Sequence, residues 1–195
     1  MTILHISDTH SQHRRLTQLP DADILVHSGD FTMNGSEQEA IDFMNGFATS
    51  LIPTKFLSVA ITMPAYMDQE DGLDKNVYYL CHSGVTIDGV NFYAVPMFME
   101  DCISERQSRN YTAIPADTDV LITIVRPMAF LILTMDKLWF DELLARVEEI
   151  KPRLHLFGHI HKQHGVKEDG PTIFSNGSIM NEDYTNFNLP NLIEI

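Results

Sequence analysis

Leu154-His155-Leu156-Phe157-Gly158-His159-Ile160-His161 is an apolar run that stops in a glycine and two imidazoles set two residues apart. The run is short, lies between Pro152 and Gly158, and reads as a buried β-strand. Gly158 permits close backbone approach, and two side chains two residues apart in a strand-end loop can turn towards one centre. Two other stretches repeat the design. Thr2 to Ile6 breaks at Ser7-Asp8-Thr9-His10, and Ile24 to Ser28 breaks at Gly29-Asp30. Ligands of open α/β sheets gather outside the carboxyl ends of the strands, so three polar clusters at three strand ends predict one shared site. Mixed carboxylate and imidazole donors suit borderline divalent ions such as Mn, Fe or Zn. A carboxylate such as Asp30 can bridge two ions, and a pair about 3.5–4 Å apart is a recurring device for phosphoester displacement. Taken singly, Asp-x-His is a weak motif, Gly-Asp is more often a turn, and His-x-His fits a solvated loop. Together, each at the end of an apolar run, they are poorly explained as turns. His5, His27 and His155 fall inside strands and read as packed or supporting residues. His13, His82 and His164 are expected to be exposed, with His13 near enough to Asp8 and His10 to touch a substrate.

The rest of the chain alternates in the same way. Ser36-Glu37-Gln38-Glu39 is a capping box opening a helix with Ala40, Ile41, Phe43, Met44 and Phe47 at helical spacing, weakened by Gly46. Lys55 to Ala60 is a further strand. Val85 to Ile87 and Val90 to Val95 flank Asp88-Gly89, the signature of a type I′ hairpin. Asp119 to Val125 is a continuous apolar strand, and Phe140 to Ile150 a helix stopped by Pro152. Asp169-Gly170 leads a second hairpin into Thr172 to Ser175. No repeat or linker divides the 195 residues, which form one domain over 1–195.

The chain carries 27 acidic against 13 basic side chains, a formal charge of −14. Such a balance excludes a nucleic-acid backbone or an anionic membrane as main partner, although a bound cation would still admit a small anionic substrate. No segment reaches the ~18–20 apolar residues of a membrane span. The start lacks the features of a signal peptide, and Cys81 and Cys102 are too few for a disulfide scaffold. A soluble, cytoplasmic protein is expected.

Ile6-Ser7-Asp8-Thr9-His10, Val26-His27-Ser28-Gly29-Asp30-Phe31 and Leu156-Phe157-Gly158-His159-Ile160-His161 resemble the calcineurin-like metallophosphoesterases, in particular their small single-domain phosphohydrolases. Gly72-Leu73-Asp74, the 85–95 hairpin and Asn176-Gly177-Ser178 extend the resemblance over most of the chain. It implies an α/β (α+β) four-layer αββα sandwich with mixed sheets and a two-metal site between them. Asp8, His10, Asp30 and His161 would hold one divalent ion. Asp30, as the bridge, and His159 would contribute to the second.

The chain departs from that family in two places. Where Gly-Asn-His-Asp is expected after the third strand, it reads Ile61-Thr62-Met63-Pro64, and a further ligand histidine is replaced by Ile124. A thioether has no proton to donate, isoleucine has no donor atom, and a neutral hydroxyl is a weaker ligand than an amide. The catalytic positions Thr62 and Met63 are therefore not intact, and the second metal site loses two of its protein ligands. This predicts one competent site and low or absent hydrolysis of a small phosphoester. Ile61, Met63, Ile124, Met128, Phe130 and Trp139 also make the mouth apolar. Their bland reading is a repacked core. The alternative is a non-catalytic or redesigned module that binds a protein partner, or a second copy of the chain, through that mouth.

Overall fold

The computed structural model describes residues 1–48, 52–58, 76–97, 106–124 and 137–195, with the backbone alone at 48, 55–58, 106 and 137–140. The strands in chain order are β1 (Thr2–Ile6), β2 (Ile24–His27), β3 (Thr54–Ser58), β4 (Val77–Leu80), β5 (Ser83–Ile87), β6 (Val90–Val95), β7 (Val120–Thr123), β8 (Leu154–Phe157), β9 (Gly165–Asp169), β10 (Thr172–Asn176) and β11 (Asn191–Glu194). The helices are α1 (Glu37–Ala48), α2 (Arg106–Thr112) and α3 (Lys137–Ile150). One sheet has the order β11-β1-β2-β3-β4 and the other β5-β6-β7-β8-β10-β9. Both are mixed: β1 to β4 run parallel with β11 antiparallel at the edge, and β6, β7, β8 and β10 run parallel between the antiparallel edges β5 and β9.

Alternation along the strands builds the layers. Ile3, Ile24, Val26, Leu80 and Ile193 of the first sheet pack on Phe92, Ala94, Val120, Ile122, Leu154 and Leu156 of the second. The residues between them point the other way: Leu4, Ile6 and Leu25 meet Ala40, Phe43 and Phe47 of α1. On the far side Val95 and Leu121 meet Tyr111 of α2 and Leu143 and Val147 of α3. The result is a four-layer αββα sandwich. Strands covered on both faces must be apolar throughout, which is why all four residues of β2, β7 and β8 are buried.

A polar seam joins the sheets. His5, fully buried in β1, places Nδ1 2.7 Å from Ser175 Oγ of β10 and Nε2 3.0 Å from Ser28 Oγ after β2. Ser7 pairs with Ser178 in a parallel bridge, so the chain leaving β1 runs beside the chain leaving β10. Burial of His5, with help from the nearby imidazoles of His164 and His155, lowers its pKa to about 3.

The capping box forms as expected, with the Ser36 amide 3.1 Å from Glu39 Oε2 and the Glu39 amide 3.3 Å from Ser36 Oγ. The Asp88-Gly89 turn has both φ angles positive, 50° and 79°. Helix α1 runs through Gly46, where a Cβ would lie 2.7 Å from the His13 ring, so the missing side chain makes room for that imidazole.

The expectation that His13, His82 and His164 are exposed is corrected. Only 8% of the His13 side chain is accessible, with its ring edge-on to Phe43 and 3.5 Å from Asp42. His82 and His164 are half-buried, and His82 lies 3.4 Å from Asn110 of α2. Each is covered by an element distant in sequence, which a local reading does not register. β4, β11 and α2 are additional to the expected elements, whereas β9 is the first arm of the hairpin expected at Asp169-Gly170. β9 has four exposed residues, including Lys167, Glu168 and Asp169, the polarity of a protected edge, so it carries no apolar signal. β11 alternates buried and exposed over four residues and exists through its pairing with β1.

Candidate metal centre

The expected ligands converge at the carboxyl ends of parallel strands from both sheets. Asp8 and His10 follow β1, Asp30 follows β2, and His159 and His161 follow β8. The loops are laced together: the Asp8 amide donates to the Gly29 carbonyl (2.9 Å), the His10 amide to the Asp30 carbonyl (3.1 Å) and the Ser11 amide to the Phe31 carbonyl (2.7 Å). Asp8, His10, Asp30 and His159 all have left-handed φ angles, of 53°, 40°, 51° and 66°. Non-glycine residues adopt this region at a cost of about 1–3 kcal/mol each and persist there when their surroundings over-determine them. The lacing supplies that constraint.

Two triads result. Ligand atoms of Asp8, His10 and His161 lie within 4.8 Å of one another, as do those of Asp8, Asp30 and His159. The resemblance implies Asp30 as the shared carboxylate, whereas Asp8 is the member common to both triads. Asp8 is fully buried. Its oxygens accept from the His159 amide (3.0 and 2.8 Å) and the Ser178 hydroxyl (2.7 Å). Burial first, and the charge of Asp30 second, raise its pKa to about 6, against the lowering influence of Ser178, the His159 amide and His161. Gly158 makes the approach possible, since a Cβ there would lie 2.1 Å from Ser7 Oγ and 2.3 Å from Asp8 Oδ2.

The imidazoles of the first triad are oriented by the backbone. His10 Nδ1 lies 3.2 Å from the Thr32 carbonyl and His161 Nδ1 2.7 Å from the Met180 carbonyl. A carbonyl only accepts, so each Nδ1 carries the proton and a neutral ring presents a bare Nε2. Burial lowers the His10 pKa and favours that neutral form. His161 Nε2 is 4.0 Å from Asp8 Oδ1, and the two rings stack with centroids 5.3 Å apart. His10 Nε2 is buried with no hydrogen-bond partner among the described residues. A buried lone pair facing a carboxylate and a second imidazole is the arrangement a divalent cation satisfies. The donor set therefore fits a metal.

Of the other candidates, His13 lies against α1 and outside both triads. Ile124 is fully buried at the end of β7, where its carbonyl accepts from the Gly158 amide at 2.9 Å. Ile61, Thr62, Met63, Met128 and Phe130 lie outside the described residues, as does the side chain of Trp139. Sequence reasoning by ligand type missed Ser178 as the Asp8 partner, the carbonyls of Thr32 and Met180, and Tyr184. The Asn176-Gly177-Ser178 motif was the available signal for Ser178. The carbonyls had none, because every residue carries one.

No family model matches the chain. It is 36% identical to the UPF0046 protein K07C11.7 of Caenorhabditis elegans, covering 93% of this chain and 71% of that protein. It is 30% identical to human Metallophosphoesterase domain-containing protein 1, covering 97% of this chain and 69% of that protein. Among solved structures it shares its fold with GAP50, described as the anchor in the inner membrane complex of Plasmodium. That match has a TM-score of 0.57 and 9% identity, covering 98% of this chain and 75% of the other. With near-complete coverage by a metallophosphoesterase relative, and two sheets delivering aspartate and histidine to one edge, the chain belongs to the calcineurin-like metallophosphoesterases.

Proposed function

We propose that the chain is a divalent-metal-dependent phosphoesterase scaffold for a small phosphoester or phosphodiester, with one cation site complete and the second weakened. The observation that carries this reading is the pair of triads sharing Asp8. Asp8, His10, Asp30 and His161 would hold the first ion. His159, with the adjacent carboxylates, would contribute to the second. The imidazole and carboxylate donors favour Mn, Fe or Zn. When bound, the cation supplies the charge that polarises a phosphoryl oxygen and acidifies a water. The protein's part is to fix that charge: Ser178 and the His159 amide hold the Asp8 carboxylate, and Thr32 and Met180 set the tautomers of His10 and His161. Thr62, Met63 and Ile124 stand where the family carries an amide and two imidazoles. Loss of general acid help alone is worth about 10²–10⁴-fold in rate, so turnover is expected to be low. A reducing, cytoplasmic setting belongs to the same reading.

A binding module built on the apolar mouth gains no support at Ile124, which is buried and offers no surface. Metal analysis of the purified chain together with turnover of a chromogenic phosphodiester tests the choice. One tightly held transition metal with weak turnover is expected. A further rise in both is expected when Thr62→Asn, Met63→His and Ile124→His are combined. A chain that takes up no metal, before or after those changes, overturns the reading.

A further inference from the structure

Tyr184 is the one large aromatic side chain standing over the first triad among the described residues. Its ring centroid lies 5.0 Å from that of His10, edge-on, and 5.2 Å from that of His161. The residue is nevertheless 42% exposed beside the site. Its backbone is left-handed, with φ 56°, a costly conformation for a bulky residue.

The surrounding loop holds that conformation. Asn181 Oδ1 accepts from the amides of Thr185 (2.9 Å) and Asn186 (3.1 Å), its carbonyl accepts from the Tyr184 amide (3.0 Å), and its amide donates to the Asn186 carbonyl (3.1 Å). Lys162 Nζ, one residue beyond His161, ties the loop down through Glu182 at 2.8 Å. The Met180 carbonyl at the start of the same segment fixes His161. Met180 bridges Phe187 in an antiparallel pair, so residues 181–186 form the turn that returns the chain towards β11. That turn, with its strained aromatic residue, places a flat apolar face next to the cation-binding imidazoles.

We infer that Tyr184 is a specificity-determining residue that selects phosphoesters whose organic group carries a flat aromatic ring, which stacks on the exposed part of the tyrosine while the phosphoryl group lies at the metal. This rests on the phosphoester reading above. Aromatic pairs add a modest preference beyond area burial, about 3–10-fold in affinity.

The test needs no turnover. The Mn²⁺-loaded protein is titrated calorimetrically with methylphosphonate, cyclohexylphosphonate and phenylphosphonate, which share a charged head and differ in the group it carries. Phenylphosphonate is expected to bind about 3–10-fold more tightly than the other two. That ratio is expected to fall to near one in Tyr184→Ala and to survive in Tyr184→Phe. Equal affinities, a cyclohexyl group as good as phenyl, or a phenyl preference that persists in Tyr184→Ala would each overturn the inference and leave the phosphoester reading standing. Mn²⁺ uptake without binding of any phosphonate would overturn both.

Discussion

The two triads share Asp8 but hold their imidazoles differently. In the first, His10 and His161 each give their Nδ1 proton to a backbone carbonyl, and the side chain of His161 is only 12% exposed. In the second, His159 turns Nδ1 to Asp30 Oδ2 at 3.2 Å, and its side chain is 46% exposed. In the first triad the carbonyls hold the nitrogens a cation does not use, whereas the carboxylate that His159 contacts is itself a proposed ligand, so that contact has to open before an ion can sit between the two. Preorganisation therefore separates the sites before any ligand is counted, and it points the same way as the reading proposed above for Thr62, Met63 and Ile124.

Removing the shared residue should produce the largest effect. Asp8→Asn is expected to weaken cation uptake at both triads by more than about 100-fold, beyond the usual cost of losing a supporting partner. The same change should raise the melting temperature of the metal-free protein near neutral pH, because it removes a buried carboxylate charge beside Asp30. Metal analysis and calorimetry check the two halves, and a lower melting temperature would contradict the burial argument. Next, His161→Ala should cost about 100-fold in affinity for the tighter ion and His159→Ala about 10-fold, again by metal titration. Equal losses would break the contrast between the triads. Gly158→Ala should follow, with cation affinity down about 10-fold and stability down by about 1–3 kcal/mol, as the added methyl displaces the Asp8 carboxylate.

The smallest effect concerns pH in the metal-free protein. His5, at about 3, has a folded pKa below its ordinary 6.5, so its contribution to stability is present above 6.5 and drains as the pH falls towards 3. Burial pushes His27 the same way. Asp8 has the opposite sign: its raised pKa favours the protonated fold, so it adds stability as the pH falls from about 6 to 3.8. Denaturant midpoints should therefore decline below pH 6.5, and decline more steeply in Asp8→Asn, where the opposing group is gone. A flat profile would indicate that His5 and His27 accept protons in the folded state.

Much of this was legible in the chain. Apolar runs ending in Asp-x-His, Gly-Asp and Gly-His-x-His marked three strand ends, because a strand buried on both faces has no room for polar residues until it leaves the sheet. Capping by Ser36 and Glu39 and the Asp88-Gly89 turn were equally readable, being local in their chemistry. The polar edge strand β9 was marked only by the Asp169-Gly170 turn that follows it, and the short β11 was not marked at all, since it owes its existence to a partner strand. The surroundings of His13, His82 and His164 were misjudged for the same reason.

The sequence by itself determined the fold class and the five residues that converge, since hydrophobic periodicity and ligand type are properties of short segments. Only the tertiary structure decided that Asp8, rather than Asp30, is common to both triads. It also decided that Thr32, Met180 and Ser178 orient the ligands and that Tyr184 stands over them. Each of these depends on where two loops from different sheets meet, and that distance is written in the packing of the whole sandwich.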